Sequence, residues 1–197
     1  MREIKPDAKI LDATAGNRMI WKKKESPHIL WIDIESELEV KPDMIMDCTK
    51  TIFEDKRFHT VFFDPPHSFG GKLGIDRGCV RNYLEREKAH ELSGGLYYYG
   101  LDKYKTASQL LSFIHKSLLE FYRILNDDGI LWFKWCDLVI PLDKILSFFR
   151  DWQEMMRLYI KNPRQTLGLA QTYWILFMKK PRIHTQTELD QEMKKRQ

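Results

Sequence analysis

Cysteine is scarce in this sequence, and long apolar runs are absent from it. The chain has 197 residues and three cysteines, Cys48, Cys79 and Cys136, which lie far apart without a Cys-x-x-Cys pair. That spacing indicates neither a zinc cluster nor a disulfide framework, and it favours a reducing compartment. No apolar run approaches the roughly 18 residues of a membrane span, and the opening MREIKPDAK is unlike a signal peptide. We therefore expect a cytoplasmic protein with no membrane partner and no bound metal.

Neither sign of charge dominates the composition. The chain carries 32 basic and 28 acidic residues, for a formal net charge of +4. This mild excess permits an anionic partner without requiring one. Hydrophobic residues make up 43% of the chain, which is enough for one sizeable core. We predict a single domain over residues 1–181, followed by a polar tail over 182–197.

Short apolar runs alternate with polar connections along the chain. The predicted strands cover residues 9–14, 28–35, 44–48, 60–64, 129–137, 155–162 and 172–180. Helical spacing of apolar residues marks 106–126 and 141–152, and the polar stretch 17–26 reads as a short helix. Strands at these intervals indicate βαβ units and a parallel sheet covered on both faces. The sequence predicts an α/β fold whose last two strands form an antiparallel pair.

Acidic residues follow the first four predicted strands. They are Asp12, Asp33, Asp47 and Asp64. Because the carboxyl ends of parallel strands meet at one edge of a sheet, these acids should face a common crevice. Asp33 follows Asp12 by 21 residues, close to the spacing of about 20 typical of an acid that binds ribose hydroxyls. Glu35, on the same side of its strand, is the alternative ribose ligand.

The turn after the first strand has few glycines. It reads D-A-T-A-G-N-R-M and holds only Gly16, whereas dinucleotide-binding turns hold three glycines that let the backbone approach a pyrophosphate. A lysine-serine pair for a nucleoside triphosphate is also missing. The turn therefore favours a cofactor with ribose and adenine but no phosphate.

The fourth strand ends in V-F-F-D-P-P-H, and this motif carries a family resemblance. Together with the acids and the D-A-T-A-G turn, it makes the chain resemble the class I S-adenosylmethionine-dependent methyltransferases, in the amino-methyltransferase branch marked by [D/N]-P-P-[Y/F/W]. The resemblance extends from Lys9 to Lys180. It implies a Rossmann-like fold with seven strands, mostly parallel, that ends in an antiparallel hairpin.

The resemblance also implies a cofactor site and a catalytic tetrapeptide. The implied S-adenosylmethionine-binding residues are Asp12, Ala13, Thr14, Ala15, Gly16, Asp33, Ile34, Asp47 and Cys48. Within that set Asp33 would bind the ribose, and Asp47 would accept from the adenine amino group beside the Cys48 amide. The implied catalytic residues are Asp64, Pro65, Pro66 and His67.

The residue types of the tetrapeptide suit methyl transfer to an exocyclic amine. Such a transfer is an in-line displacement that needs no covalent nucleophile and no metal. The Asp64 carboxylate and the Pro65 carbonyl can accept the amine hydrogens and turn its lone pair toward the methyl group. Two consecutive prolines hold that carbonyl in place, which is preorganisation. His67 stands where the family has Tyr, Phe or Trp, and Arg18 stands where it often has a second glycine.

Substrate recognition is predicted in the segment 68–105, which is rich in glycine and contains Tyr97 to Tyr99. The basic residues proposed for phosphate contacts are Lys72, Arg77, Arg81 and Arg164, although ordinary solvated charges would look the same. A protein partner that supplies recognition is a further expectation.

Three functions stay open: methylation of a DNA or RNA base, with adenine N6 first; methylation of protein lysine or glutamine; and a non-catalytic methyltransferase-like subunit.

Overall fold

The computed structural model describes residues 5–67, 69, 103–137, 139–160 and 171–181. Its strands form one seven-stranded sheet in the order β3-β2-β1-β4-β5-β7-β6. The bounds are β1 Ile10–Asp12, β2 Ile29–Asp33, β3 Met44–Ile45, β4 Phe58–Phe63, β5 Leu125–Cys136, β6 Trp152–Ile160 and β7 Thr172–Lys179. The first five strands are parallel, and β7 runs antiparallel to both β5 and β6. The predicted mostly parallel α/β sheet with a final antiparallel hairpin is confirmed.

Two helices are present in the described residues, α1 (Ala107–Ile124) and α2 (Leu142–Leu146). Thr106 caps the amino end of α1, because its side chain accepts a hydrogen bond from the Gln109 amide at 3.2 Å. The predicted helix over 141–152 is too long. After Leu146 the chain turns so that Trp152, which is 4% exposed, enters the core as the first residue of β6.

The predicted helix over residues 17–26 is wrong, since this stretch consists of turns and bends. Arg18 adopts a positive φ of 55°, a left-handed conformation that a right-handed helix cannot contain. Its guanidinium then donates to the carbonyl oxygens of Lys24 and Lys41. These bonds hold the stretch as a loop against the segment that precedes β3.

Both described helices pack on one face of the sheet. Their shared core includes Val61, Phe63, Phe133 and Phe177 from the central strands. The opposite face, here called the open face, carries side chains that the strand register places side by side: Asp12 beside Phe62, Phe62 beside Trp132, and Trp132 beside Leu176. Trp21 from the loop after β1 packs edge-on against Phe62 there, with ring centroids 4.8 Å apart.

In the described part of the chain, helices therefore cover only one face of the sheet. On the open face a loop, residues 13–27, replaces the helix expected between β1 and β2. Of the helices in the described ranges, none has the length and apolar character needed to span a membrane.

Candidate functional site

The loop after β1 is held by the ends of the two strands that flank β1 in the sheet. The Ala13 amide donates to the Phe62 carbonyl oxygen at 2.9 Å, and the Ala15 amide donates to the Ile32 carbonyl oxygen at 3.0 Å. These bonds place the predicted cofactor loop across the carboxyl ends of β2 and β4. Ligands of open α/β sheets bind at this edge.

Asp33 lies directly against the glycine of that loop. One carboxylate oxygen accepts from the Gly16 amide at 2.8 Å, and the other accepts from the Glu35 amide at 2.9 Å. Gly16 has a φ of +48°, and apart from its chain neighbours no atom of the described residues lies within 4 Å of the point where a Cβ would stand. The Glu35 carboxylate instead lies 3.5 Å from the Lys103 ammonium. Of the two candidate ribose ligands, Asp33 accepts a hydrogen bond from the loop backbone.

Asp12 is buried beneath the same loop and is 1% exposed. Its carboxylate accepts from the Trp21 indole at 2.6 Å and from the Thr14 amide at 3.3 Å. Burial raises the pKa of Asp12 to about 7, although the two hydrogen bonds oppose the rise and the charges of Asp64 and Asp33 add to it. A carboxyl group thus sits at the floor of the crevice with a pKa close to neutrality.

Asp64 joins the predicted catalytic tetrapeptide to the predicted cofactor loop. Its amide donates to the Thr14 hydroxyl at 2.9 Å. One carboxylate oxygen lies 2.7 Å from the Lys134 ammonium and the other lies 3.2 Å from His67 Nε2. Burial alone would raise the pKa of Asp64, but the His67 hydrogen bond and the charges of His67 and Lys134 outweigh burial and lower it. Asp64 is therefore an ionised carboxylate with basic groups on both oxygens.

His67 is turned into the protein in this arrangement. Its ring meets Trp135 edge-on, with centroids 5.3 Å apart, and its side chain is 16% exposed. Nδ1 is buried and has no hydrogen-bond partner among the described residues. The imidazole thus contacts Asp64 with one nitrogen, and its faces are largely covered.

The remaining predicted cofactor residues lie at the outer part of the crevice. Asp47 is exposed two residues beyond β3 and accepts from the Thr49 amide at 2.8 Å. Ile34 is 55% exposed. The Cys48 side chain points into the core, with Sγ 3.6 Å from the Ser117 hydroxyl, and burial raises the pKa of its thiol to about 12. The structure brings Asp12, Asp33 and Asp64 together around one loop.

Sequence reasoning missed three residues that line this crevice: Trp21, Tyr104 and Lys134. Burial raises the pKa of the Tyr104 phenol, and the negative charges of Asp47 and Asp33 raise it further. A signal for Lys134 was present, since it is the one cation in the apolar run ILWFKWC. A charged side chain is rarely placed within a buried strand without a partner.

Several predicted substrate residues cannot be located, because Lys72, Arg77, Arg81, Arg164 and Tyr97 to Tyr99 lie outside the described residues. The same applies to the tail 182–197 and to the segment 68–105 apart from residues 69 and 103–105. A groove of about 1110 Å³, lined by residues such as Tyr122, Asp127 and Met155, lies at the amino end of β4. That groove is at the opposite edge of the sheet from the acids.

Comparison with known proteins gives a fold and no closer relationship. No protein-family model matches the sequence, and no curated protein matches it. A TehB-like SAM-dependent methyltransferase from Corynebacterium glutamicum is similar in structure, with a TM-score of 0.51 and 15% identity over 88% of this chain and 81% of that one. An rRNA methylase from Streptococcus thermophilus has a TM-score of 0.41 and 13% identity over 91% of this chain and 92% of that one. The first likeness shows that this chain has the Rossmann-like fold of a methyltransferase.

Proposed function

We propose that this protein transfers a methyl group from S-adenosylmethionine to an exocyclic amino nitrogen of a nucleic-acid base, with adenine N6 as the first candidate. The observation that carries the proposal is the position of Asp64. This ionised carboxylate precedes two prolines, is bonded through its amide to the predicted cofactor loop, and lies beside Lys134 at the edge of the sheet.

The crevice residues fit S-adenosylmethionine as a cofactor. The described residues leave the space beside Gly16 open, so a ligand can lie against the loop backbone there. Asp33 is at the end of β2, within reach of both the loop and a ribose placed on it. The cofactor is cationic at its sulfonium and its ammonium, and the Asp33 carboxylate at this edge carries the opposite charge. When bound, the cofactor supplies a methyl group whose carbon is electrophilic because it is attached to the positively charged sulfur.

The chain's own part in the reaction is to bind and orient the amine. Asp64 accepts one amine hydrogen and the Pro65 carbonyl accepts the other, which turns the nitrogen lone pair away from the aromatic ring. Lys134 keeps the carboxylate ionised and fixes its direction. Because these groups are in position before the substrate arrives, little reorganisation is needed during the reaction.

The nucleic-acid assignment follows the family resemblance carried by the D-P-P motif, and the net charge of +4 permits an anionic substrate. In this proposal Lys72, Arg77, Arg81 and Arg164 contact phosphates, the reaction takes place in the cytoplasm, and a protein partner adds sequence recognition. The competing acceptor is an amine of protein lysine or glutamine.

Two measurements test the proposal in sequence. Calorimetry should detect S-adenosylmethionine binding, and labelled cofactor should then transfer its methyl group to a DNA or RNA pool. Absence of binding at about millimolar cofactor would support the non-catalytic subunit instead. Label that enters only a protein pool would identify a protein methyltransferase. Digestion of labelled nucleic acid to nucleosides identifies the methylated atom.

A further inference from the structure

Within the described residues, the strand β6 forms one edge of the sheet and pairs only with β7. It is nine residues long. Four large apolar or aromatic side chains on it are exposed: Met155 at 52%, Met156 at 41%, Leu158 at 48% and Tyr159 at 62%. An edge strand with unpaired backbone groups and exposed apolar side chains is a template for pairing with another chain.

A register shift in β6 arranges its charges on one face. Glu154 pairs with Phe177 and Arg157 pairs with Ile175, so the two charged residues lie only two positions apart along β7. Met155 is the extra residue of this bulge. Because alternate positions of a strand point to the same side, Glu154 and Arg157 share a face, and they form an ion pair of 2.7 Å within the chain.

Along β6 the order is Glu154, two methionines and Arg157. This order complements itself when a second copy of the strand runs in the opposite direction. A second β6 placed antiparallel, with a two-fold axis at Met155 and Met156, brings Glu154 opposite Arg157 of the partner subunit. The symmetry repeats the contact in the other direction. Opposite charges that face each other across antiparallel strands are stabilising, and like charges are destabilising.

We propose that two copies of this chain associate through β6 in this two-fold arrangement, with the methionines at the centre and two Glu154–Arg157 pairs between the subunits. A second copy fits better than an unrelated strand, because a closed two-fold interface needs one surface that complements itself. The apolar surface continues from Met156 and Leu158 onto Leu176 and Trp174 of the open face, which pair with them in the sheet. The inference is independent of the reaction at Asp64.

Charge reversal tests the pairing on the full-length chain. Sedimentation velocity over about 1 to 100 µM protein should show a wild-type dimer. Glu154→Arg and Arg157→Glu, each alone, should raise the dimer dissociation constant by about tenfold or more, because each places like charges opposite each other twice. An equimolar mixture of the two variants should dimerise again, since both interchain contacts then join an arginine to a glutamate.

The double variant Glu154→Arg with Arg157→Glu is the matched control. It keeps the ion pair within the chain as well as the pairs between chains, so it should dimerise like the wild type. Circular dichroism establishes that all variants are folded. Mixing cannot repair an intrachain defect, so recovery on mixing is specific to an interface of this geometry. A wild-type monomer throughout this range, or a dimer that neither single variant weakens, or a mixture that stays monomeric, would overturn the proposal.

Discussion

The Lys134 ammonium lies 2.7 Å from an Asp64 carboxylate oxygen, and the pair bridges the neighbouring strands β4 and β5. A second ion pair, Lys5–Asp43, has the same 2.7 Å separation, and its lysine side chain is 26% exposed against 25% for Lys134. The two ion pairs therefore match in length and in the exposure of the lysine, and Lys5 also donates to the Ile29 carbonyl oxygen at 2.9 Å. Only Lys134 lies beside the predicted catalytic tetrapeptide, which makes Lys5 a matched control.

Lys134→Met should lower kcat for methyl transfer about fivefold at neutral pH, because a partly exposed ion pair contributes about 1 kcal/mol and about 1.4 kcal/mol corresponds to tenfold in rate. The charge of Lys134 helps to lower the pKa of Asp64. Without that charge the pKa rises, so the acidic limb of the pH–rate profile should move to higher pH. Steady-state kinetics over a pH series measures both effects.

Lys5→Met removes an ion pair of equal length at a distance from the crevice, and it should leave kcat and the acidic limb unchanged. Lys134→Arg should restore most of the activity, because it retains the positive charge. Equal kinetic losses in the Lys134 and Lys5 variants would mean that Lys134 acts through general stability.

Asp64→Asn should reduce methyl transfer by about a hundredfold or more, while S-adenosylmethionine affinity stays within about threefold. The amide preserves the shape of the side chain but loses the charge and one acceptor. Single-turnover assays and calorimetry separate the two quantities. A parallel loss of binding and transfer would assign Asp64 a structural role.

Asp12 should give the folding stability a distinct pH dependence. Its pKa is about 7 in the folded protein, against an unfolded value near 3.9. The folded state therefore holds the proton more tightly. The protonated Asp12 carboxyl makes its full contribution to stability below about pH 4. As the pH rises toward 7 that contribution is lost, and the free energy of unfolding falls by roughly 4 kcal/mol in total.

Asp12→Asn cannot titrate, so its unfolding free energy should fall less than that of the wild type between pH 4 and 7. Urea unfolding of both proteins at several pH values gives the difference, in which the contributions of all other groups cancel. Parallel curves would show that Asp12 is not protonated on folding.

Two substitutions at Arg18 separate the cost of its left-handed backbone conformation from the loss of its side-chain contacts. Both Arg18→Gly and Arg18→Ala lose the hydrogen bond to Lys41 at 2.7 Å and the contact with the Trp31 ring, whose centroid is 3.9 Å from the guanidinium carbon. Alanine must still adopt the positive φ of this position, which glycine adopts without strain. The glycine variant should therefore be more stable than the alanine variant by about 1 kcal/mol in urea unfolding. Equal stability of the two variants would mean that the left-handed conformation is not retained.

The expected strands and the cap of α1 could be read locally, because apolar runs and a threonine before a helical pattern act over a few residues. The loop 17–26 could not. Its length and lysines suit a helix, and the outcome depends on Arg18 reaching Lys41 across the fold. Strand β6 begins at Trp152, three residues before the predicted start. Contacts distant in sequence also decide this start, since Trp152 is buried in the core.

The sequence alone determined that Asp12, Asp33 and Asp64 would meet, because parallel strands that end in acids bring those acids to one edge of the sheet. It also determined the D-P-P turn beside them. Only the tertiary structure decided that Lys134 pairs with Asp64, that His67 turns inward, and that Glu154 and Arg157 share a face of β6. Each of these depends on the register between strands, which is set by packing across the whole sheet and not by neighbours in the chain.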